Sequence, residues 1–377
     1  MPAESTPEPA IPGEPGNSTP RRPGGRRGPR STRRKALMIT AWTAAGVVAL
    51  GGAGAGYLFF KLNGNLKSVD INQALGSDRP LKVDNGSENI LVLGSDSRSG
   101  TNKKLGGGAD DGSARSDTAM IVHVYKGHKR ASVVSIPRDT LVGRPSCTDS
   151  KGTVHGAVSG AMFNSAYSTG GAACAVKTVE SMTGIRMDHY VEIDFSGFQK
   201  LIDDLGGVTV TTTKAISDHE SHLRLTAGSH NLNGKQALGL VRTRHGVGDG
   251  SDLGRIQLQQ AFMKALVGQV KHIGLLSNPK KLYDLADTAT KTVTTDSDIG
   301  SVTDLASFAG GLKGIGASHM NMVTMPVQYD PADGNRVLVD KAKAAMVWKA
   351  LKADRPIPKA ATEGTATGTA KGVVNPG

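Results

Sequence analysis

The sequence predicts an α/β domain with a largely buried sheet and helices on both faces, carried behind a single transmembrane helix. Three observations predict it. Short runs rich in Val, Ile and Thr alternate with stretches of helical period. The 377 residues are 38% apolar and 21% charged, which suits a chain with a real core and excludes a disordered or disulfide-stapled one. One stretch near the start runs for 25 residues without a charge.

Residues 1–35 are rich in Pro and Gly and carry eight basic and three acidic residues with no apolar period. They cannot bury a core and are expected to form a disordered cytoplasmic tail. Ala36–Phe60 is the uncharged stretch; at 1.5 Å per residue it is long enough for a hydrocarbon core of roughly 30 Å. The basic cluster before it places the tail inside and the remainder outside, a single-pass type II arrangement in the cell membrane. Ala53-Gly54-Ala55 resembles a signal-cleavage site, but the apolar run continues through Tyr57-Leu58-Phe59-Phe60, which favours a retained anchor.

Residues 61–88 read as a polar lead-in, with turns at Asn63-Gly64 and Asn85-Gly86. Strands are expected at Asn89–Leu93, Thr118–Tyr125, Ala131–Ile136, His189–Phe195 and Val208–Thr213. Helices are expected near Ala161–Ser168, Ala173–Thr183, Ser196–Leu205, Gly234–Arg242, Leu253–His272 and Asp340–Lys352. The folded domain would therefore occupy residues 89–355. Residues 356–377 are low in complexity and read as a disordered tail.

The net charge of +12, of which the tail holds +5, fits a polyanionic partner or an anionic membrane surface. No CxxC or HExxH occurs, which argues against a zinc enzyme. Cys147 and Cys174 are the only cysteines; in an exported domain an even count favours a disulfide. Closing that loop of about 27 residues would contribute roughly 3 kcal/mol.

Four segments carry chemistry. Asn89–Arg98 is an apolar strand ending in Gly94-Ser95-Asp96-Ser97-Arg98, and strand ends are where α/β sites form. Arg115-Ser116-Asp117-Thr118 begins the next strand. Asp96 and Asp117 are either two loop aspartates or the one or two carboxylates that Mg²⁺ takes beside a substrate phosphate. Pro137-Arg138-Asp139-Thr140 follows a third strand, as a surface ion pair or as an arginine aimed into a crevice. The last segment runs from Leu232 through Arg242-Thr243-Arg244-His245 to Asp252-Leu253-Gly254-Arg255 and Gln259. On a helix, Asp252, Arg255 and Gln259 share an arc of about 60° that leans toward the apolar side, so they need partners. Arg98, Arg138, Arg242, Arg244 and Arg255 make five guanidiniums near two or three carboxylates. Arginine matches phosphate bidentately and keeps its charge, so the set suits a pyrophosphate.

With these residues in view, the chain resembles the LytR-CpsA-Psr family, membrane-anchored enzymes that attach glycopolymers to the bacterial cell wall. The resemblance rests on NILVLGSDSR, RSDT, SIPRDT, FNSAYSTGG and the VRTRH…DLGRIQLQQ run, all in the family's order and covering about Gly64 to Lys271. It implies an α-β-α sandwich with a central mixed sheet and an apolar pocket for a polyprenyl chain. It implies that Asp96 and Asp117 hold Mg²⁺ on a lipid pyrophosphate. Arg138, Arg242, Arg244, Arg255 and Gln259 would then bind that pyrophosphate, while Arg98, Asp139 and Asp252 orient arginines or the acceptor. The implied partners are a polyprenyl-pyrophosphate-linked glycopolymer, peptidoglycan and membrane lipid, and the implied reaction joins polymer to a peptidoglycan hydroxyl. Asp139, Asp252 and His245 all stand as possible bases.

Two departures from the family pattern stand out. Met162 occupies a position where many members carry Lys, two residues before Asn164. The stretch 99–113 is long and glycine-rich, either a surface insertion or a lid, with the insertion preferred. A polyprenyl-pyrophosphate phosphatase and a non-catalytic lipid- or wall-binding regulator are the competing functions. A nucleic-acid role is not expected, because no reader motif follows the basic tail.

Overall fold

The computed structural model describes residues 53–96, 116–272 and 278–376. The basic tail, most of the expected anchor, Arg98 and the 99–113 insertion lie outside the described residues. Residues 53–65 are helical, and no helix among the described residues is long and apolar enough to cross a membrane. The chain divides after Tyr57 into two units, and the second, from Leu58 onward, carries everything described below.

The second unit is built on a seven-stranded mixed sheet. Its strands in chain order are β1 (Lys67–Val69), β2 (Glu88–Ser95), β3 (Ser116–Val124), β4 (Ala131–Ile136), β5 (His189–Asp194), β6 (Val293–Asp296) and β7 (Met320–Thr324). They lie side by side as β1-β6-β5-β2-β3-β4-β7. β2 runs antiparallel to β3 but parallel to β5, so the sheet is mixed as expected. Alternation sorts its side chains: Leu91, Leu93, Ile121 and Val134 join one apolar cluster, while Ile90, Val92, Val122 and Val124 join another.

Helices cover both faces. On the first pack α1 (Phe163–Thr183) and the later Lys341–Lys352 helix, through Val176, Val179, Val347 and Trp348. On the second pack Phe308 and Leu312 of the Val302–Leu312 helix. α1 combines the two expected helices, which the non-helical residues Gly170 and Gly171 separate; a side chain at Gly170 would collide with Cys174. Cys174 is disulfide-bonded to Cys147, with Cα atoms 5.4 Å apart.

A second apolar core lies beside the sheet. It is enclosed by α2 (Phe195–Leu205), α3 (Gly234–Arg242), α4 (Asp252–His272) and the strands Val208–Thr212 and Gly228–Leu232. The helix Pro279–Thr292, which the periodicity did not reveal, packs on α2.

Two expected boundaries are corrected. Residues 61–88 are not a mere lead-in: β1 pairs with β6 at the sheet edge, and Ile71 and Leu75 are buried in the main core. Short apolar pieces of this kind bury only against the finished domain, so no local period advertises them. Residues 356–377 are not a disordered tail over their described part. Ala361, Ala370, Val373 and Val374 are buried, and the strand Val374–Pro376 pairs with Val208–Thr212. Their small residues serve close backbone approach: a Cβ on Gly368 would stand 2.1 Å from the Gly254 nitrogen.

Candidate active site

The four chemical segments converge on one cavity of about 410 Å³. Asp96 follows β2 and is 7% exposed. Asp117 reaches the same cavity through a bulge. The β2–β3 register slips so that Gly94 faces Thr118 and Ser95 faces Ser116, which leaves Asp117 as the extra residue. A bulge re-aims one side chain, and here it directs Asp117 to the wall that Asp96 lines.

Arg138 and Asp139 sit in the turn after β4, closed by Thr140 Oγ1 donating to the Pro137 carbonyl at 2.7 Å. Arg242 ends α3 with its guanidinium carbon 5.0 Å from the centre of the Phe195 ring. Asp252, Arg255 and Gln259 occupy the first two turns of α4, on one face as the periodicity required.

These side chains form an ion-pair lattice. Arg138 Nη1 meets Asp117 Oδ1 at 2.5 Å, and its Nε lies 3.4 Å from Asp139 and 3.5 Å from Asp252. Arg244 Nη2 donates to Asp252 Oδ1 at 2.9 Å, and Arg255 pairs with the same oxygen. Arg255 Nη2 also donates to the Asp117 carbonyl at 3.1 Å, tying helix to bulge. Burial pushes the Arg255 pKa down; Asp252 opposes the shift, whereas Arg138 and Arg244 add to it. Burial also works against Arg138, but Asp117, Asp252 and Asp139 outweigh it and hold its pKa above the ordinary value.

Gln259 behaves differently from the expectation. Both of its amide donors are engaged, to Thr118 Oγ1 at 3.0 Å and the Val241 carbonyl at 2.9 Å. In this arrangement it fixes β3 against the end of α3 rather than offering protons to a ligand. His245 does not line the cavity; it is 60% exposed and 3.4 Å from Glu220.

Two functional residues escaped the sequence reading. Arg336, from the turn between the strands Val327–Tyr329 and Val337–Val339, lines the cavity; its surroundings (Pro331-Ala332-Asp333-Gly334-Asn335) read only as a turn. Asp218 is 2% exposed and clasps the loop that carries Arg244. Its Oδ2 accepts from the Arg244 and His245 backbone N–H groups at 2.8 and 3.0 Å, and its Oδ1 from Glu220 and Ser221 at 2.9 and 3.2 Å. An aspartate before a polar turn was the one available signal, and it is too common to select.

Burial alone would raise the Asp218 pKa, but the four backbone donors outweigh it and hold it below the ordinary value. A lowered carboxylate pKa gives stability that is present above the unfolded value, near 4, and lost as pH falls through the folded one. Asp218→Asn should therefore cost about 2 kcal/mol near neutral pH. Thermal melts of the two proteins should differ above about pH 5 and converge in acid. A gap that does not depend on pH would show that the charge is not what holds the loop.

The LytR_cpsA_psr family model matches residues 58–353. The cell wall biosynthesis protein LcpA of Corynebacterium glutamicum is 33% identical over 301 residues, 73% of this chain and 57% of LcpA. The chain thus spans just over half the length of that relative. The polyisoprenyl-teichoic acid–peptidoglycan teichoic acid transferase TagT of Bacillus subtilis is 31% identical over 319 residues, 82% of this chain and 90% of TagT. In fold, a LytR-Csp2A-Psr enzyme from Actinomyces oris aligns with a TM-score of 0.56 at 23% identity, covering 76% of this chain and 96% of that one. Motifs in order, a mixed sheet with its site at the ends of β2 and β4, and a match across most of the length agree: this chain belongs to the LytR-CpsA-Psr family.

Proposed function

We propose that this chain is a Mg²⁺-dependent phosphotransferase at the outer face of the cell membrane. It would move an anionic glycopolymer from a polyprenyl-pyrophosphate carrier to a peptidoglycan hydroxyl. The observation that carries the proposal is the unfinished lattice. Arg244 Nε and Arg255 Nε are buried with no hydrogen-bond partner among the described residues, although both side chains line the cavity. Buried donors are normally satisfied, so an anionic ligand that completes them fits this wall. The likeness to TagT, a polyisoprenyl-teichoic acid–peptidoglycan teichoic acid transferase, supports the same class of substrates.

Asp96 and Asp117 are the carboxylates that would hold Mg²⁺. The two line one cavity, and two carboxylates with water and phosphate oxygens completing the shell suit this ion. Bound there, the ion would supply charge neutralisation on the phosphoryl oxygens.

The chain's own residues do the remainder. Arg138, Arg242, Arg244 and Arg255 bind and orient the pyrophosphate, and Gln259 and Asp218 keep the arginine-bearing elements in place. Of the candidate bases, Asp252 has its Oδ1 committed to Arg244 and Arg255 and its Oδ2 buried. Asp139 is the less engaged carboxylate, with its nearest cations at 3.4 and 3.9 Å. Asp139 would accept the acceptor hydroxyl proton as the oxygen–phosphorus bond forms. The bond from that phosphorus to polyprenyl phosphate breaks, and the electron pair leaves with the lipid. Positioning and fixed charge supply most of the rate in such transfers.

The test uses the full chain in detergent, a labelled polyprenyl-pyrophosphate glycan and peptidoglycan oligomers, with Mg²⁺ or chelator. Label should enter peptidoglycan only with Mg²⁺. Asp117→Asn should raise the Mg²⁺ concentration for half-maximal transfer by on the order of tenfold. Free phosphorylated polymer without linkage would make the chain a hydrolase, and lipid binding without turnover a binder.

A further inference from the structure

A second cavity, of about 270 Å³, opens beside the first. The two share the side chains of Arg138, Asp139, Arg244 and Arg336. Asp96, Asp117, Arg242, Arg255 and Gln259 line only the first, whereas Asp252, Tyr329 and Asn335 line only the second. The shared wall therefore separates a chamber holding both proposed metal carboxylates from one that holds neither.

We propose that the second cavity receives the acceptor as a single pyranose ring of a glycan, with Tyr329 and Asn335 as its recognition residues; this rests on the phosphotransfer reading above. Displacement at phosphorus needs the nucleophile and the leaving group roughly in line, so donor and acceptor cannot share one approach. A separate opening that ends on the same arginines and on Asp139 supplies the second approach.

The lining suits a sugar. Tyr329 is 43% exposed, a flat apolar face with a polar tip, in a pocket whose other lining includes charged and polar side chains together with Pro137, Leu253 and Val337. Asn335 brings an amide able to donate to and accept from ring hydroxyls. Gly250 and Gly334 present bare backbone, and nothing stands within 4 Å of where a Gly334 side chain would begin. The volume lies just under the range of about 300–1,000 Å³ typical of drug-sized ligands, which is room for one ring and not for a polymer. Asp139 forms part of this wall, placing the proposed proton acceptor where a ring hydroxyl would enter.

The experiment compares wild type, Tyr329→Ala, Tyr329→Phe and Asn335→Ala as full chains, each checked for an unchanged melting temperature. Three readings are taken: KM for peptidoglycan oligomers in transfer, the dissociation constant for a fluorescent polyprenyl-pyrophosphate, and saturation-transfer NMR of chitotetraose. The acceptor KM should rise about tenfold in Tyr329→Ala and Asn335→Ala and stay within about twofold in Tyr329→Phe. Donor binding should stay constant, and the chitotetraose signal should fall in both alanine variants. Acceptor KM and chitotetraose signal that ignore both residues would overturn the proposal, as would a donor constant that moves with the acceptor KM. Absence of transfer in wild type, with Tyr329-dependent chitotetraose binding retained, would instead sink the phosphotransfer reading and leave the glycan site standing.

Discussion

Asp252→Ala is expected to abolish transfer, by three orders of magnitude or more, and to lower the melting temperature by about 6–12 °C. One carboxylate oxygen of Asp252 serves Arg244 and Arg255, and Arg138 lies 3.5 Å away. Arg255 has a side chain only 6% exposed, so removing its counter-charge leaves a buried cation without its paired carboxylate. Breaking a buried pair in this way costs about 3–5 kcal/mol. The same change frees Arg244 and Arg138 from the geometry that aims them at the first cavity. Asp252→Asn separates the two effects, because it keeps the shape and removes the charge: part of the stability should return, and the activity should not. Calorimetry with the transfer assay checks both, and an unchanged melting temperature in Asp252→Ala would show that the lattice contributes nothing to the fold.

Glu180→Ala should destabilise the protein by a similar 3–5 kcal/mol while leaving turnover per folded molecule near wild type. Arg79 and Glu180 side chains are 2% and 3% exposed. Arg79 Nε donates to both Glu180 oxygens at 3.1 and 3.0 Å, and its Nη2 donates to one of them at 2.6 Å and to the Met187 carbonyl at 2.8 Å. Met187 returns a backbone N–H to Glu180 at 2.9 Å. Neither residue lines either site cavity. The pair fastens the segment after β1 to α1. Replacing both partners, as Arg79→Met with Glu180→Leu, should recover most of the loss, since a well-packed apolar pair carries no desolvation cost. If the double variant is as unstable as Glu180→Ala, the hydrogen bonds to Met187 are the larger part of the effect.

The sheet centre was legible because it is strongly patterned. β2, β3, β4 and β5 are runs of Val and Ile bounded by Gly, Asp or Pro, and they fold within a few residues of expectation. α3 and α4 were equally plain, and the polar arc of Asp252, Arg255 and Gln259 on an apolar helix announced buried charge before any fold was known. What escaped was held by long-range contact alone. β1 is three residues long and means nothing until β6 is beside it. Arg336 sits in a polar turn like many others, and only the folding of that turn onto the Arg138 loop brings it to the cavity. Asp218 precedes a polar turn like many other aspartates, and nothing local announces that the Arg244 and His245 N–H groups will join those of Glu220 and Ser221 around it. The low complexity of residues 356–376 misled for a physical reason. Small residues are as much the composition of tight backbone contact as of disorder, and composition alone does not separate the two.

The segment around Gly368 has a consequence for the order of events in synthesis. A side chain at Gly248 would come within 3.0 Å of the Thr369 and Ala370 backbone, and Gly254, two residues into α4, lies against Gly368. The loop that presents Arg244 and Asp252 is therefore braced by residues more than one hundred positions downstream of Gln259. Contacts of such long sequence separation form late, after the chain that makes them has been delivered. A nascent chain that already holds every arginine of the lattice still lacks the wall that sets their aim. The site thus comes into being only once residues 368–370 have been delivered, and a ligand met earlier finds no finished pocket to enter.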